Sequence, residues 1–306
     1  MRTLYLGTSE FAAVILRRLA AGPHRPALVV APPDRRRGRG RKLSPPPVAA
    51  MAAELDLDLL QAPDVNDPAV TERLLGAGAE AGVVCAFGQI VREPLLSGLE
   101  LLNVHPSLLP RWRGAAPIER AIMAGDETTG VCVMRLEAGL DSGPVAIRRE
   151  EPIGPRDDYG SLSGRLAEAG GELLVEALDR RADGPLDYSD QPEEGVTYAE
   201  KIEPAERRVD PWSGAEHEAL RIRALTPHVG AFVVHGDESR LGLRDPEPLG
   251  AGPAVGEFAA IDDDLVLGCG EGALRIGSVQ PPGGRWIPAA DFLRGRGLPA
   301  PVARLQ

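Results

Sequence analysis

Lysine and cysteine are nearly absent from this chain, and long apolar runs are missing. Cys85, Cys132 and Cys269 stand apart with no Cys-x-x-Cys pair, which excludes a disulfide framework and a thiolate zinc site. The five histidines show no His-x-x-x-His spacing, so no metal is expected. No apolar run approaches the roughly 18 residues of a membrane-spanning helix, so no membrane partner is expected. Met1-Arg2-Thr3 leads straight into apolar Leu4–Leu6, leaving no signal or transit segment, and a cytoplasmic protein is expected. Gly-x-Gly-x-x-Gly and Walker-type loops are missing too, which argues against nicotinamide and nucleoside-triphosphate sites. Gly-x-Ser-x-Gly is absent and Cys85 sits in an apolar strand, so no activated nucleophile stands out.

What is present is globular: 306 residues, 43% hydrophobic and 26% charged, long for one domain and comfortable for two. The net charge of −11 argues against a nucleic-acid partner unless positive charge is concentrated locally. Of 34 basic residues only Lys42 and Lys201 are lysine, and with 36 Gly and 29 Pro this reads as coding bias. An arginine here is therefore weaker evidence of bidentate recognition than usual. One segment is dense nonetheless: Arg35-Arg36-Arg37-Gly38-Arg39-Gly40-Arg41-Lys42, which fits either a solvated loop or an arm that meets phosphate.

The chain opens as strand, loop, helix, strand. Leu4–Leu6 is a buried strand, Gly7–Glu10 a turn with an N-cap, Phe11–Leu19 a helix, and Ala27–Ala31 a second strand, hence a parallel pair. A helix near Val48–Leu55 and an apolar strand at Val83–Ala86 continue an α/β pattern in which the sheet is covered on both faces. Asp183–Pro204 is a polar composition break, giving domains at 1–188 and 207–306 with a linker at 189–206. Beyond it lie a helix near His217–Ala224 and short runs at Ala231–His235, Arg240–Leu243, Leu265–Leu267 and Leu274–Ser278, which predict a small antiparallel barrel.

Chemistry concentrates in Leu101–Pro110. In an extended Leu101–His105, Asn103 and His105 share one face, and Pro106 ends the strand with an amide and an imidazole at its C-terminal edge. In open α/β sheets that edge binds ligands. The glycine-flanked loop Gly139–Pro144 offers Asp141 as a third group. His105 can take a proton from an attacking amine, worth roughly 10²–10⁴ in rate. Asn103 can donate to an oxyanion, worth about 3–4 kcal/mol. Asp141 can fix the imidazole tautomer and stabilise its cation. The same residues also fit a capped strand end and an ordinary turn.

Taken in order, Asn103-Val104-His105, Ser107-Leu108-Leu109-Pro110, Arg111–Ile118 and Gly139–Gly143 resemble the folate-dependent formyltransferases. The resemblance runs from Leu4–Thr8 through Met123–Asp126 to Thr197–Ile202, and extends over 207–306 by length and strand pattern only. It implies a Rossmann-like catalytic domain followed by an OB-like barrel that binds tRNA. The implied reaction moves formyl from 10-formyltetrahydrofolate to the α-amino group of methionine on initiator methionyl-tRNA, in a monomer without metal. Asn103, His105 and Asp141 match the family's catalytic trio, and Ser107, Leu108, Leu109 and Pro110 its tetrahydrofolate loop. Phe87, Gly88 and Gln89 fall where the family's backbone holds the pterin. Arg39, Arg41 and Lys42 match a basic insertion that meets the acceptor stem. Pro106 is a departure, since Gly or Ala usually stands there in the tRNA-directed members and Pro in those acting on glycinamide ribonucleotide. Alternatives with the same fold are transfer to a small amine, hydrolysis of the folate, and RNA binding without turnover.

Overall fold

The computed structural model describes residues 1–37, 40 and 42–304. Arg39 and Arg41 lie outside them. The chain divides into two compact units that are not contiguous in sequence. The first comprises Met1–Pro117, Thr128–Pro152 and Ser163–Ala199; the second takes Ile118–Glu127, Ile153–Leu162 and the chain from Glu200 onward.

The first unit is built on a seven-stranded sheet. Its strands are β1 (Thr3–Gly7), β2 (Pro26–Ala31), β3 (Leu59–Gln61), β4 (Ala81–Cys85), β5 (Leu101–His105), β6 (Thr128–Arg135) and β7 (Val145–Pro152). Their order is β7-β6-β5-β4-β1-β2-β3, parallel from β3 to β5, with β6 and β7 antiparallel. Chain direction across the sheet reverses between β1 and β4, the switch point where such Rossmann-like sheets bind ligands. Every residue of β1, β4 and β5 is buried, which is why β1 and β4 are largely apolar without alternation, while β5 buries the polar Asn103 and His105 as well. Leu4 and Leu6 point into a cluster with Leu28, Val84, Leu74 and Leu101. Tyr5 points to the opposite face, where its hydroxyl donates to Ala12 O at 2.5 Å.

Helix α1 (Glu10–Ala20) starts where Ser9 Oγ accepts the Ala12 N–H, and it carries Glu10 in its first turn and Arg17 and Arg18 in its last. Two more helices follow, α2 (Pro47–Glu54) and α3 (Pro68–Leu75), the second capped by Asp67. The long helix over Tyr159–Asp183 approaches the sheet through Gly170, where a Cβ would stand 3.1 Å from Val104 Cγ1. Residues 184–199, read from composition as mostly linker, are built into this unit. Ser189 pairs with Val145, and Tyr198–Ala199 runs parallel to Arg113–Gly114. Their polar composition reflects side chains spent on neighbouring loops.

The second unit is an antiparallel sheet of β8 (Ala231–Val234), β9 (Arg240–Leu249), β10 (Phe258–Ile261), β11 (Asp264–Gly268), β12 (Ala273–Gln280) and β13 (Ile287–Pro288). The path among the described residues is β8-β9-β12-β11-β10, with β13 on β12. Val233, Leu241, Leu243, Leu265, Leu274 and Ile276 form its core with Ile222 and Leu225 of the helix Ala215–Leu225. Side-chain chemistry explains why earlier segments join it. Arg120 meets both oxygens of Glu206, His228 Nε2 pairs with Glu119 Oε1 at 2.9 Å, and the Tyr159 ring stacks on His228 at 3.6 Å.

Candidate active site

The C-terminal ends of β4 and β5 open into a cavity of about 480 Å³ lined by Phe87–Val91, Asn103–Pro106, Gly114–Ala115, Pro117 and Leu136–Asp141. Its rim is apolar and open to solvent, since Ile90 is 71% and Leu140 62% exposed. Large apolar side chains held out at a cavity mouth favour a flat, partly apolar ligand. Three non-glycine residues at this site have left-handed backbones: Ala86 (φ 42°), Trp112 (φ 62°) and Asp141 (φ 45°). Such conformations persist where surrounding interactions over-determine them.

The three polar groups expected from sequence converge here. Asn103 Nδ2 donates to Asp141 Oδ1 at 3.1 Å, and His105 Nδ1 lies 3.6 Å from Asp141 Oδ2. The Gly114 N–H donates to the same Oδ2 at 2.9 Å. Asn103 is 8% and His105 4% exposed, so both act from a largely dry wall. His105 Nε2 lies 2.8 Å from the Trp112 carbonyl. A carbonyl only accepts, so Nε2 carries a hydrogen. The tautomer is therefore set by Trp112 O rather than by Asp141, and the Nδ1 lone pair of the neutral ring faces the carboxylate. On taking a proton, Nδ1 becomes a cation beside Asp141 Oδ2.

Other expected positions fall differently. Phe87, Gly88 and Gln89 line the cavity, but the Gln89 side chain is committed, accepting from Val65 N–H at 2.8 Å and donating to Ala62 O at 3.3 Å. Ser107, Leu108, Leu109 and Pro110 are not brought to the cavity wall. Ser107 is wholly buried with its hydroxyl on Arg111 O at 2.6 Å, and Leu109 packs against Cys132 and Met134. The loop turns inward at Leu109, which has a core to fill behind β6, while Leu108 stays half-buried. Burial pushes the Cys85 and Cys269 thiols up to about 12 and Cys132 up to about 11, so none is a ready thiolate.

Sequence reasoning missed four contributors: the Trp112 carbonyl, the Gly114 N–H, Gln191 and Thr197. The first two act through backbone atoms, which leave no side-chain signature. Gln191 and Thr197 lie in the presumed linker, and the only pointer to them is that the family resemblance persists through Thr197–Ile202.

Of the basic segment, Arg35–Arg37 pairs antiparallel with Lys42–Ser44, so a β-ribbon stands where a loop was expected. Lys42 and Leu43 are exposed on it. In the second unit, strand alternation sends Leu241 and Leu243 to the core and Arg240 and Arg244 to the other face. There Arg240 lies 4.6 Å over the Phe232 ring and Arg244 3.9 Å over Trp286. Trp212 packs against the core with Arg304 at 5.7 Å.

A cavity at the C-terminal edge of the sheet, edged by an amide, an imidazole and a carboxylate, defines a group-transfer enzyme on a Rossmann-like sheet. Residues 1–178 match the family described as formyl transferase, and residues 201–297 match the formyl transferase C-terminal domain. The chain belongs to the formyltransferase family. It is 41% identical over 302 residues to the methionyl-tRNA formyltransferase of Dechloromonas aromatica, covering 97% of each chain. It is 44% identical over 304 residues to that of Methylococcus capsulatus, covering 97% of this chain and 98% of the relative. Two solved structures share the fold. HypX from Aquifex aeolicus in complex with tetrahydrofolic acid has a TM-score of 0.68 at 20% identity, over 96% of this chain and 47% of that one. The sugar 3N-formyl transferase WlaRD has a TM-score of 0.66 at 13% identity, over 90% of this chain and 97% of that one.

Proposed function

We propose that the protein transfers the formyl group of 10-formyltetrahydrofolate to the α-amino group of methionine on initiator methionyl-tRNA, in the cytoplasm. The observation that carries the reading is the meeting of Asn103, His105 and Asp141 at the edge of a cavity with an apolar rim. Near-full-length similarity to methionyl-tRNA formyltransferases supports the choice of acceptor.

The amine nitrogen attacks the formyl carbon, and charge moves onto the formyl oxygen. Asn103 keeps one Nδ2 hydrogen on Asp141 and offers the other to that oxyanion. His105 Nδ1 takes the ammonium proton, its cation is stabilised by Asp141 Oδ2, and the proton then passes to folate N10 as the carbon–nitrogen bond breaks. Phe87, Gly88 and the backbone of Gln89 would hold the pterin against the rim formed by Ile90 and Leu140. Ser107, Leu108, Leu109 and Pro110 would form the tetrahydrofolate loop beside this wall, anchored by the Ser107 hydroxyl on Arg111 O. RNA would be met by the ribbon ending at Lys42, with Arg39 and Arg41, and by the arginine-bearing face of the 207–306 region. Arginines laid over aromatic rings are pre-ordered for meeting phosphates and bases.

The test is to supply 10-formyltetrahydrofolate with charged initiator tRNA, with amino-sugar nucleotides, with glycinamide ribonucleotide, or with no acceptor. Formyl on methionyl-tRNA at a rate far above the others is expected. Preference for a small amine, or formate release alone, would overturn the choice of acceptor.

A further inference from the structure

We propose that Gln191 is a positioning residue for this reaction, holding the Asp141 loop against the loop that carries Trp112 and Gly114. The inference rests on the function proposed above.

The Gln191 side chain has every hydrogen-bonding atom engaged. Its Nε2 donates to Asp141 O at 2.8 Å and to Gly143 O at 2.7 Å, while Oε1 accepts from Arg113 Nε at 3.0 Å and Nη2 at 2.8 Å. Two carbonyls must be given hydrogens and one guanidinium must be received. Among side chains of this length only a primary amide does both, since a carboxylate cannot donate and an ammonium cannot accept. Gln191 does not line the cavity, so its effect passes through its partners.

Those partners close a ring. Arg113 precedes Gly114, whose N–H reaches Asp141 Oδ2, and Asp141 returns its own carbonyl to Gln191. Both loops need such a tie. Gly114 has φ 119°, and a Cβ there would stand 2.8 Å from Ala199 O. Asp141 is itself left-handed, and a Cβ on Gly143 would run into Arg135 O. The same segment also fixes the imidazole, because Thr197 Oγ1 accepts the Trp112 N–H at 2.9 Å and Trp112 O sets the His105 tautomer. Residues 189–199 thus brace the carboxylate and the imidazole together.

Two variants separate this role from simple docking of the segment. Gln191→Glu keeps the acceptor for Arg113 and loses both donors; Gln191→Met keeps the length and loses everything. In formyl transfer to charged initiator tRNA both are expected to lower kcat by about 10–100-fold, as a misplaced catalytic group does, with KM for the tRNA unchanged. Hydrogen exchange should quicken over residues 137–143 and stay slow over 101–105. A Gln191→Glu variant with wild-type kcat would show that only the bond to Arg113 matters and overturn the proposal. So would faster exchange throughout the first unit, which marks a merely structural residue. If the wild type formylates no tRNA, the functional reading falls alone, and the exchange pattern still decides whether Gln191 holds Asp141.

Discussion

Asp141 in the first unit and Glu218 in the second are both carboxylates withdrawn from water, with side chains 12% and 0% exposed. Their surroundings differ in kind. Asp141 Oδ1 meets Asn103, and Oδ2 meets the Gly114 N–H and faces His105. Glu218 Oε2 accepts from Asp210 N–H at 3.2 Å and lies 3.3 Å from Arg221 Nε, but Oε1 accepts no hydrogen bond among the described residues. Glu218 occupies the core-facing stripe of its helix with Ala215, Ala219, Ile222 and Leu225. Desolvation pushes its carboxyl from an ordinary 4.5 up to about 7, with nearby Arg221 opposing. Burial alone does not make a site. Asp141 draws an amide, a backbone N–H and an imidazole together at a cavity edge, whereas Glu218 is a cost borne by the core.

The largest effect expected from breaking this contrast is at the first carboxylate. His105→Ala and Asp141→Asn should each lower kcat for formyl transfer by roughly 10²–10⁴, with tetrahydrofolate binding by calorimetry retained. Loss of folding in both would make the cluster structural. Asn103→Ala follows at roughly 10²–10³ in kcat, the usual cost of one oxyanion donor. A change confined to KM would remove Asn103 from the transition state.

At Glu218 the readout is stability. Its raised pKa means that its contribution is fully present below pH 4.5 and is lost as pH climbs through about 7, where the native state must hold the charge. Glu218→Gln should therefore recover about 1–3 kcal/mol at pH 8 relative to pH 5 in denaturant titrations, with kcat unaltered. An identical pH slope in both proteins would mean that Arg221 already offsets the burial. The smallest effect is electrostatic. Arg240→Ala with Arg244→Ala should weaken tRNA binding and flatten its salt dependence by about one unit of slope for each phosphate no longer neutralised. An unchanged slope would remove that face from RNA recognition.

Much of the first unit is legible in sequence because its signals are local. Leu4–Leu6, Ala27–Ala31 and Val83–Ala86 are apolar without alternation, and each lies within or largely within a buried strand of the parallel set. The period of two placed Asn103 and His105 together, and the structure puts both at the cavity. The burial of Ser107 and Leu109 was not legible, since nothing in those residues says which side chains of the loop face the core. Nor was the pairing of Arg35–Arg37 with Lys42–Ser44, because the charge there outweighs any strand pattern. Residues 118–127 and 153–162 join the second unit through partners such as Glu206 and His228, which are far off along the chain.

Residue order alone determined the sheet's parallel class, the strand that ends in Asn103 and His105, and the family. Those features follow from side-chain periodicity and from groups adjacent along the backbone. Tertiary structure decided which imidazole nitrogen meets Trp112 O and which faces Asp141, what holds Asp141, and that a polar stretch after the long helix packs against these loops. Most of these depend on carbonyls and amide hydrogens meeting across tens of residues, and main-chain groups are chemically alike at nearly every position until folding brings particular ones together.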